Sequence, residues 1–255
     1  MRKMKTIIAG KNIVKSFGKG QESVQVLNNL DIHVEEGQFV AIMGPSGSGK
    51  STLMYAISGM DTIDSGTVTF DQQSIDTMDE AALTDLRREK MGFIFQQPTF
   101  LKNLSILDNI ILPSLKEKKV TMNELVEHAE GLMKKVGISE LKNRKINQVS
   151  GGQLQRAGIC RALMGQPKII FGDEPTGALN SKAAQEILTI LLEINAEGTT
   201  IIVVTHDAKV AAQSERILFV GDGQLVDELY LGKFTNKELD RRMELVNETV
   251  IKTEM

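Results

Sequence analysis

The chain has 255 residues, 41% hydrophobic and 25% charged, an ordinary globular composition with length for one good-sized core and a satellite subdomain. Its net charge of -3 offers no basic footprint for nucleic acid, and its single cysteine, Cys160, excludes an intramolecular disulfide framework. The basic start, residues 1–5, leads into no sustained apolar segment, and no apolar run approaches the ~18–20 residues that span a bilayer, so the chain is expected to be soluble, with any membrane span supplied by another polypeptide.

Leu30, Ile32 and Val34 alternate with polar residues over 29–36, which predicts a half-buried strand. Residues 39–43 are continuously apolar, as in a strand buried on both faces. A glycine-rich turn and a helix over 50–58 follow, and Ser65-Gly66 marks a turn before a strand over 67–70. From about 77 to 166 the texture is helical, with helices expected over 79–90, 105–115 and 121–136 and an apolar strand over 91–95 between the first two. Thr121 and Glu124 have capping-box spacing. Strands return at 168–171, 200–204 and 216–220, with a helix over 181–194, and Asp222-Gly223 is a two-residue hairpin signal. This alternation predicts an α/β core with a mainly parallel sheet. In the tail, 233–255, Leu239, Met243 and Val246 predict an amphipathic helix over 235–246.

Gly44-Pro45-Ser46-Gly47-Ser48-Gly49-Lys50-Ser51 matches the phosphate-loop pattern G-x-x-x-x-G-K-[ST] between a buried strand and a helix. Backbone N–H groups of such a loop turn inward around phosphate oxygens, and the helix N-terminus favours the same anion. Lys50 is expected to reach the β- and γ-phosphates of ATP, Ser51 to hold Mg²⁺, and Thr52 to lie near the α-phosphate. The second signal is an apolar strand ending in Asp173-Glu174, at the strand end where ligands bind open α/β sheets. Asp173 would bind Mg²⁺ and Glu174 would orient or deprotonate the attacking water; alone, the pair reads equally well as a helix N-cap.

Val149-Ser150-Gly151-Gly152-Gln153-Leu154-Gln155-Arg156 selects a family among phosphate-loop enzymes. Ser150 and the two glycines open a helix over 153–164, which makes a second anion-binding helix N-terminus. One nucleotide needs one cradle, so the second is expected to serve a nucleotide held by another copy; the alternative is a Ser N-cap beside a Gly-Gly hinge. The segment resembles the L-S-G-G-Q signature of the ABC family, with Val149 in place of Leu. That resemblance implies a RecA-like phosphate-loop core, an N-terminal antiparallel β subdomain and an inserted helical subdomain at about 77–166, all within residues 1–232. It also implies a head-to-tail pair of chains that sandwiches two ATP.

Further residues follow from the resemblance. Gln96 is similar to the glutamine that contacts Mg²⁺ and the attacking water, although a polar strand end is the simpler reading of it alone. His206, after the strand over 200–204, resembles the switch histidine beside the γ-phosphate, leaving His33 and His128 to solvated or structural roles. Phe17 matches the position where the family stacks an aromatic on adenine; core packing is its alternative. Asn180 stands where many relatives carry Asp.

One set of motifs and no long heptad region resemble the half-of-a-dimer cassette that docks on a separate permease at the cytoplasmic face of the membrane. The segments 86–96, 107–113 and 174–179 are similar to a bacterial subgroup of lipoprotein-release, macrolide-efflux and antimicrobial-peptide-resistance ATPases. Phe100, Leu101 and Leu104 are candidates for the permease contact or for core packing. A regulatory ATPase without solute transport is the alternative within the family. A phosphate-loop kinase or GTPase is the alternative outside it, disfavoured because no guanine-selecting Asn-Lys-x-Asp occurs.

Overall fold

The computed structural model describes residues 5–18, 20–116 and 120–253; the basic start before Lys5 and the last two residues of the tail lie outside them. β1 (Thr6–Phe17) and β2 (Val24–Glu35) pair antiparallel, and β4 (Ser65–Phe70) and β5 (Gln73–Ser74) extend the sheet in the order β2-β1-β4-β5. β1 slips register between Gly10 and Lys15, around Asn12 at φ 49°, which breaks the alternation that would have marked it as a strand.

The second sheet has the order β10-β9-β3-β8-β7-β6. Its strands are β3 (Phe39–Met43), β6 (Met91–Phe95), β7 (Ile169–Asp173), β8 (Thr200–Val204), β9 (Arg216–Gly221) and β10 (Gln224–Tyr230). All neighbours run parallel except β9 and β10, the hairpin across Asp222-Gly223. This is the expected α/β architecture, a mainly parallel sheet beside an antiparallel one.

The parallel strands are buried on both faces, which explains their continuous apolar sequences. Phe39, Ala41 and Met43 of β3 face one core with Ile201, Val203, Ile217 and Phe219; Val40 and Ile42 face the other with Ile202, Val204, Leu218 and Val220. Each fully buried aliphatic side chain contributes roughly 1.5–3 kcal/mol over its exposed state. α1 (Lys50–Ile57) and the antiparallel sheet cover the second core, joined by Leu83 of α2 (Glu80–Lys90). The first core is covered by α3 (Ile106–Ile111), α4 (Met122–Lys135), α5 (Gly151–Leu163), α6 (Ser181–Ala196), α7 (Ala208–Ala211) and α8 (Leu239–Lys252).

The helical region is narrower than 77–166. β6 pairs with β7 inside the parallel sheet and α2 packs on the second core, whereas α3, α4 and α5 form a mutually packed group, α5 also touching α6. α3 does not continue to residue 115. Pro113 has no N–H for the next helical bond, and a 3-10 turn (Leu112–Lys116) takes over. The tail helix begins later than expected, at Leu239, and buries Val246 in the first core.

Candidate functional site

The C-terminal ends of β3, β8 and β7 are neighbours in the sheet, so the segments after them converge at one edge. After β3 the chain turns through Gly44, Gly47 and Gly49, all at positive φ, into α1. Gly44 admits no side chain, because a Cβ there would lie 2.1 Å from the Val220 carbonyl oxygen. The loop opens a cleft of about 700 Å³ lined by Gly44, Ser46, Gly47, Gly49, Lys50, Ser51 and Thr52, with Phe17, Val26, Glu174 and His206 opposite.

The polar groups of this loop are those an anion would complete. Ser48 belongs to the loop but not to the cleft lining; it is buried and its Oγ has no hydrogen-bond partner. Lys50 is 9% exposed and its Nζ donates to the Pro45 carbonyl at 2.6 Å. Burial pushes the Lys50 ammonium below its ordinary range, against the opposing pull of the Glu174 and Asp173 charges. A buried cation paired only with a carbonyl favours a bound phosphate.

Asp173 lies behind Ser51 rather than in the cleft wall. Its Oδ1 accepts the Ser51 hydroxyl at 3.0 Å and its Oδ2 accepts the Tyr55 hydroxyl at 2.7 Å. Burial first, then the hydrogen bond and charge of Asp173, push the Tyr55 phenol up to about 12, so it is a neutral donor at physiological pH. A hydroxyl and a carboxylate side by side are hard oxygen donors, the kind that suits Mg²⁺ completed by water and phosphate oxygens. Glu174 adopts φ 45°, donates its N–H to Val204 O at 2.9 Å, and brings Oε1 to 2.9 Å from His206 Nδ1.

Gln96 is exposed at the end of β6 and does not line the phosphate cleft. It reaches toward Glu174 from the far side: a Cβ on Gly177 would lie 2.9 Å from Gln96 Nε2 and 3.0 Å from Glu174 Oε2. Phe17 is 47% exposed at the cleft with Lys15 Nζ 5.1 Å from its ring, so it is not a core residue. His33 and His128 line neither this cleft nor the one below.

Ser150, Gly151, Gly152 and Gln153 line a separate cleft of about 450 Å³ with Leu179 and Asn180. Ser150 is the N-cap of α5, its Oγ accepting the Gln153 N–H while Gln153 Oε1 accepts the Ser150 N–H; Gly151 and Gly152 form the first turn of that helix rather than a hinge. Asn180 caps α6 by accepting the Ala183 N–H at 2.9 Å. Phe100 belongs to the core, 9% exposed beneath Arg161, whereas Leu101 is 51% exposed.

Sequence reasoning missed three residues. Tyr55 carried a signal, four positions after Ser51 on the same helix face. Gln155 is buried and its Nε2 donates to Phe95 O and Pro175 O, joining α5 to the segments that carry Gln96 and Glu174. Gly177 lets Gln96 and Glu174 approach each other. The last two depend on strand neighbours and have no local signature.

A phosphate loop and an acidic strand end on a mainly parallel sheet define a phosphate-loop nucleoside triphosphatase. The ABC transporter family model matches residues 27–177. The macrolide export ATP-binding/permease protein MacB of Mannheimia succiniciproducens is 43% identical over 222 residues, 87% of this chain, but the chain spans only 34% of that longer protein. The bacitracin export ATP-binding protein BceA of Halalkalibacterium halodurans is 40% identical, with 89% of each chain covered. Among solved structures, the cassette MJ0796 in a dimeric post-hydrolysis state bound to ADP and Pi superposes with a TM-score of 0.83 at 39% identity, over 89% of this chain and 100% of that one. The chain belongs to the ABC transporter family, as an ATP-binding ATPase subunit.

Proposed function

We propose that two copies of this chain close head to tail around two ATP and that their hydrolysis drives a separate membrane permease of the efflux or antimicrobial-peptide-resistance type. The observation that carries this reading is the separation of two half-sites. The phosphate-loop cleft and the Ser150–Gln153 cleft share no lining residue, so one chain does not bring its own Ser150–Gln153 segment to its own phosphate loop. The dimeric state of the MJ0796 cassette with ADP and Pi supports the pairing.

In the pair, Phe17 stacks on adenine, and the N–H groups of residues 44 and 46–52 with Lys50 bind the phosphates, Pro45 shaping the loop without an N–H of its own. Ser150, Gly151, Gly152 and Gln153 of the second copy complete the γ-phosphate cradle with the N-terminus of α5. Glu174, steadied by His206 and approached by Gln96, orients the attacking water and takes its proton. The water oxygen bonds to the γ-phosphorus as the β–γ bridge breaks, leaving ADP and phosphate. Ser51, Asp173 and Gln96 would hold Mg²⁺, which when bound neutralises charge on the β- and γ-phosphate oxygens.

Among the described residues no helix is long and apolar enough to cross a membrane. The likeness to BceA, an ATP-binding protein of which 89% is covered, supports a permease on another polypeptide, with this chain peripheral at the cytoplasmic face; the net charge of -3 offers no basic footprint for nucleic acid. The export functions in the names of MacB and BceA support the efflux and peptide-resistance assignment. Size-exclusion chromatography of Glu174→Gln with Mg-ATP tests the pairing. A dimer that forms only with ATP and disappears when Ser150→Arg is added is expected. An ATP-bound Glu174→Gln chain that stays monomeric, with and without membranes containing the permease, would sink it.

A further inference from the structure

We propose that Tyr55 is a positioning residue for the Asp173 carboxylate, setting the orientation in which that carboxylate accepts a divalent cation. The inference rests on the reading of Ser51 and Asp173 as the Mg²⁺-holding pair. Ser51 and Tyr55 are four residues apart on α1, so both side chains lie on the helix face turned to the end of β7. Each carboxylate oxygen of Asp173 then receives one donor, Ser51 on Oδ1 at 3.0 Å and Tyr55 on Oδ2 at 2.7 Å.

The two donors differ in what the cation does to them. The Ser51 hydroxyl is itself a candidate ligand through its oxygen lone pairs while its hydrogen stays on Asp173, so its position is tied to the cation. Tyr55 has no such second task. Its ring packs against the second core, and its carbonyl accepts the N–H groups of Met60 at 2.9 Å and Asp61 at 3.2 Å, so both ends of the residue are anchored. The carboxylate torsion of Asp is broad and two-fold, and a half-buried Asp173 lacking the Tyr55 donor would be free to turn. Tyr55 therefore holds the carboxylate plane independently of the cation.

The test is Mn²⁺ affinity, read by electron paramagnetic resonance on the full chain with a non-hydrolysable ATP analogue. Wild type, Tyr55→Phe, Tyr55→Leu and Asp173→Asn are compared. Tyr55→Phe keeps the ring and loses the hydroxyl, and is expected to weaken Mn²⁺ binding about tenfold, as for a hydrogen bond to a charged group. Analogue binding in EDTA should match wild type, and the melting temperature should fall only by a few degrees, less than in Tyr55→Leu. The Mg²⁺ concentration for half-maximal ATPase should rise by a similar factor, with the rate at saturating Mg²⁺ nearly kept. Tyr55→Leu should show the same metal defect with a lower melting temperature.

Wild-type Mn²⁺ affinity in Tyr55→Phe, beside a loss in Asp173→Asn, would overturn the role of Tyr55 alone. So would an equal loss of metal and metal-free nucleotide binding in Tyr55→Phe, which means general damage. If Asp173→Asn also bound Mn²⁺ as wild type does, the metal reading of Asp173 would fall and the Tyr55 role with it.

Discussion

His206 Nδ1 lies 2.9 Å from Glu174 Oε1, although the two residues are 32 positions apart. The contact exists because β7 and β8 are adjacent and parallel, so the segments after them leave the sheet side by side. Glu174 reaches it in a left-handed conformation, φ 45°, that costs a non-glycine residue roughly 1–2 kcal/mol. Its N–H bond to Val204 O holds the chain there.

His206→Ala removes the partner that fixes this carboxylate. Turnover should fall about a hundredfold, the scale of a positioned acid–base group, while the KM for ATP changes little. The side chain is 69% exposed, so the melting temperature should stay within about a degree. Steady-state ATPase assays beside thermal melts check both statements.

Lys50 predicts opposite effects on binding and on ligand-free stability. Lys50→Met removes the cation that meets the phosphates and should abolish detectable ATP binding by calorimetry. The same change removes an ammonium that burial disfavours, so ligand-free Lys50→Met should melt at or slightly above wild type near neutral pH. The sign over pH follows from the lowered folded pKa. Between that pKa and the unfolded value of 10.5 the unfolded chain binds more protons, so wild-type stability rises with pH. The advantage of Lys50→Met should shrink over that window, and a gap widening toward high pH would contradict it.

Features carried by consecutive residues could be read in advance. The phosphate loop, the paired carboxylates after an apolar strand, the Thr121/Glu124 capping box and the Ser150 N-cap are local patterns, and the folded chain makes both caps. What could not be read depends on strand order. Nothing near Gln96 says that β6 joins the parallel sheet, or that its end meets Gly177 and Glu174. β1 escaped because its register slips break the alternation, and Tyr55 because an apolar helix face reads as core until Asp173 is beneath it.

Asn180 separates a structural from a communicative role at one position. It caps α6 and lines the Ser150 cleft. Asn and Asp are equivalent N-caps, so Asn180→Asp should leave the melting temperature nearly unchanged, whereas Asn180→Ala should cost about 1 kcal/mol in urea unfolding. If the two nucleotide sites communicate through this loop, Asn180→Asp should alter ATPase cooperativity at constant stability. Unchanged Hill coefficients and rates in Asn180→Asp would restrict the residue to capping.

Arg242 decides whether the tail is part of the core. It is 4% exposed on α8, and its Nη2 donates to the carbonyls of Leu231, Gly232 and Lys233 at 2.9, 3.1 and 2.6 Å. Nη1 reaches Ser214 O at 3.3 Å, and the Phe234 ring lies 5.5 Å from the guanidinium. One planar fork thus gathers the link after β10 and the loop after α7 against a helix whose Val246 is fully buried. Arg242→Ala strands several carbonyls at once and should cost about 2–4 kcal/mol in denaturant unfolding. Arg242→Lys keeps the charge but not the fork, and should recover less than half of that loss. Hydrogen exchange locates the effect: protection should fall first in α8 and in residues 231–238, while α1 keeps its wild-type rates. Equal loss of protection in α1 and α8 would mean instead that the tail and the phosphate-loop core unfold as one unit.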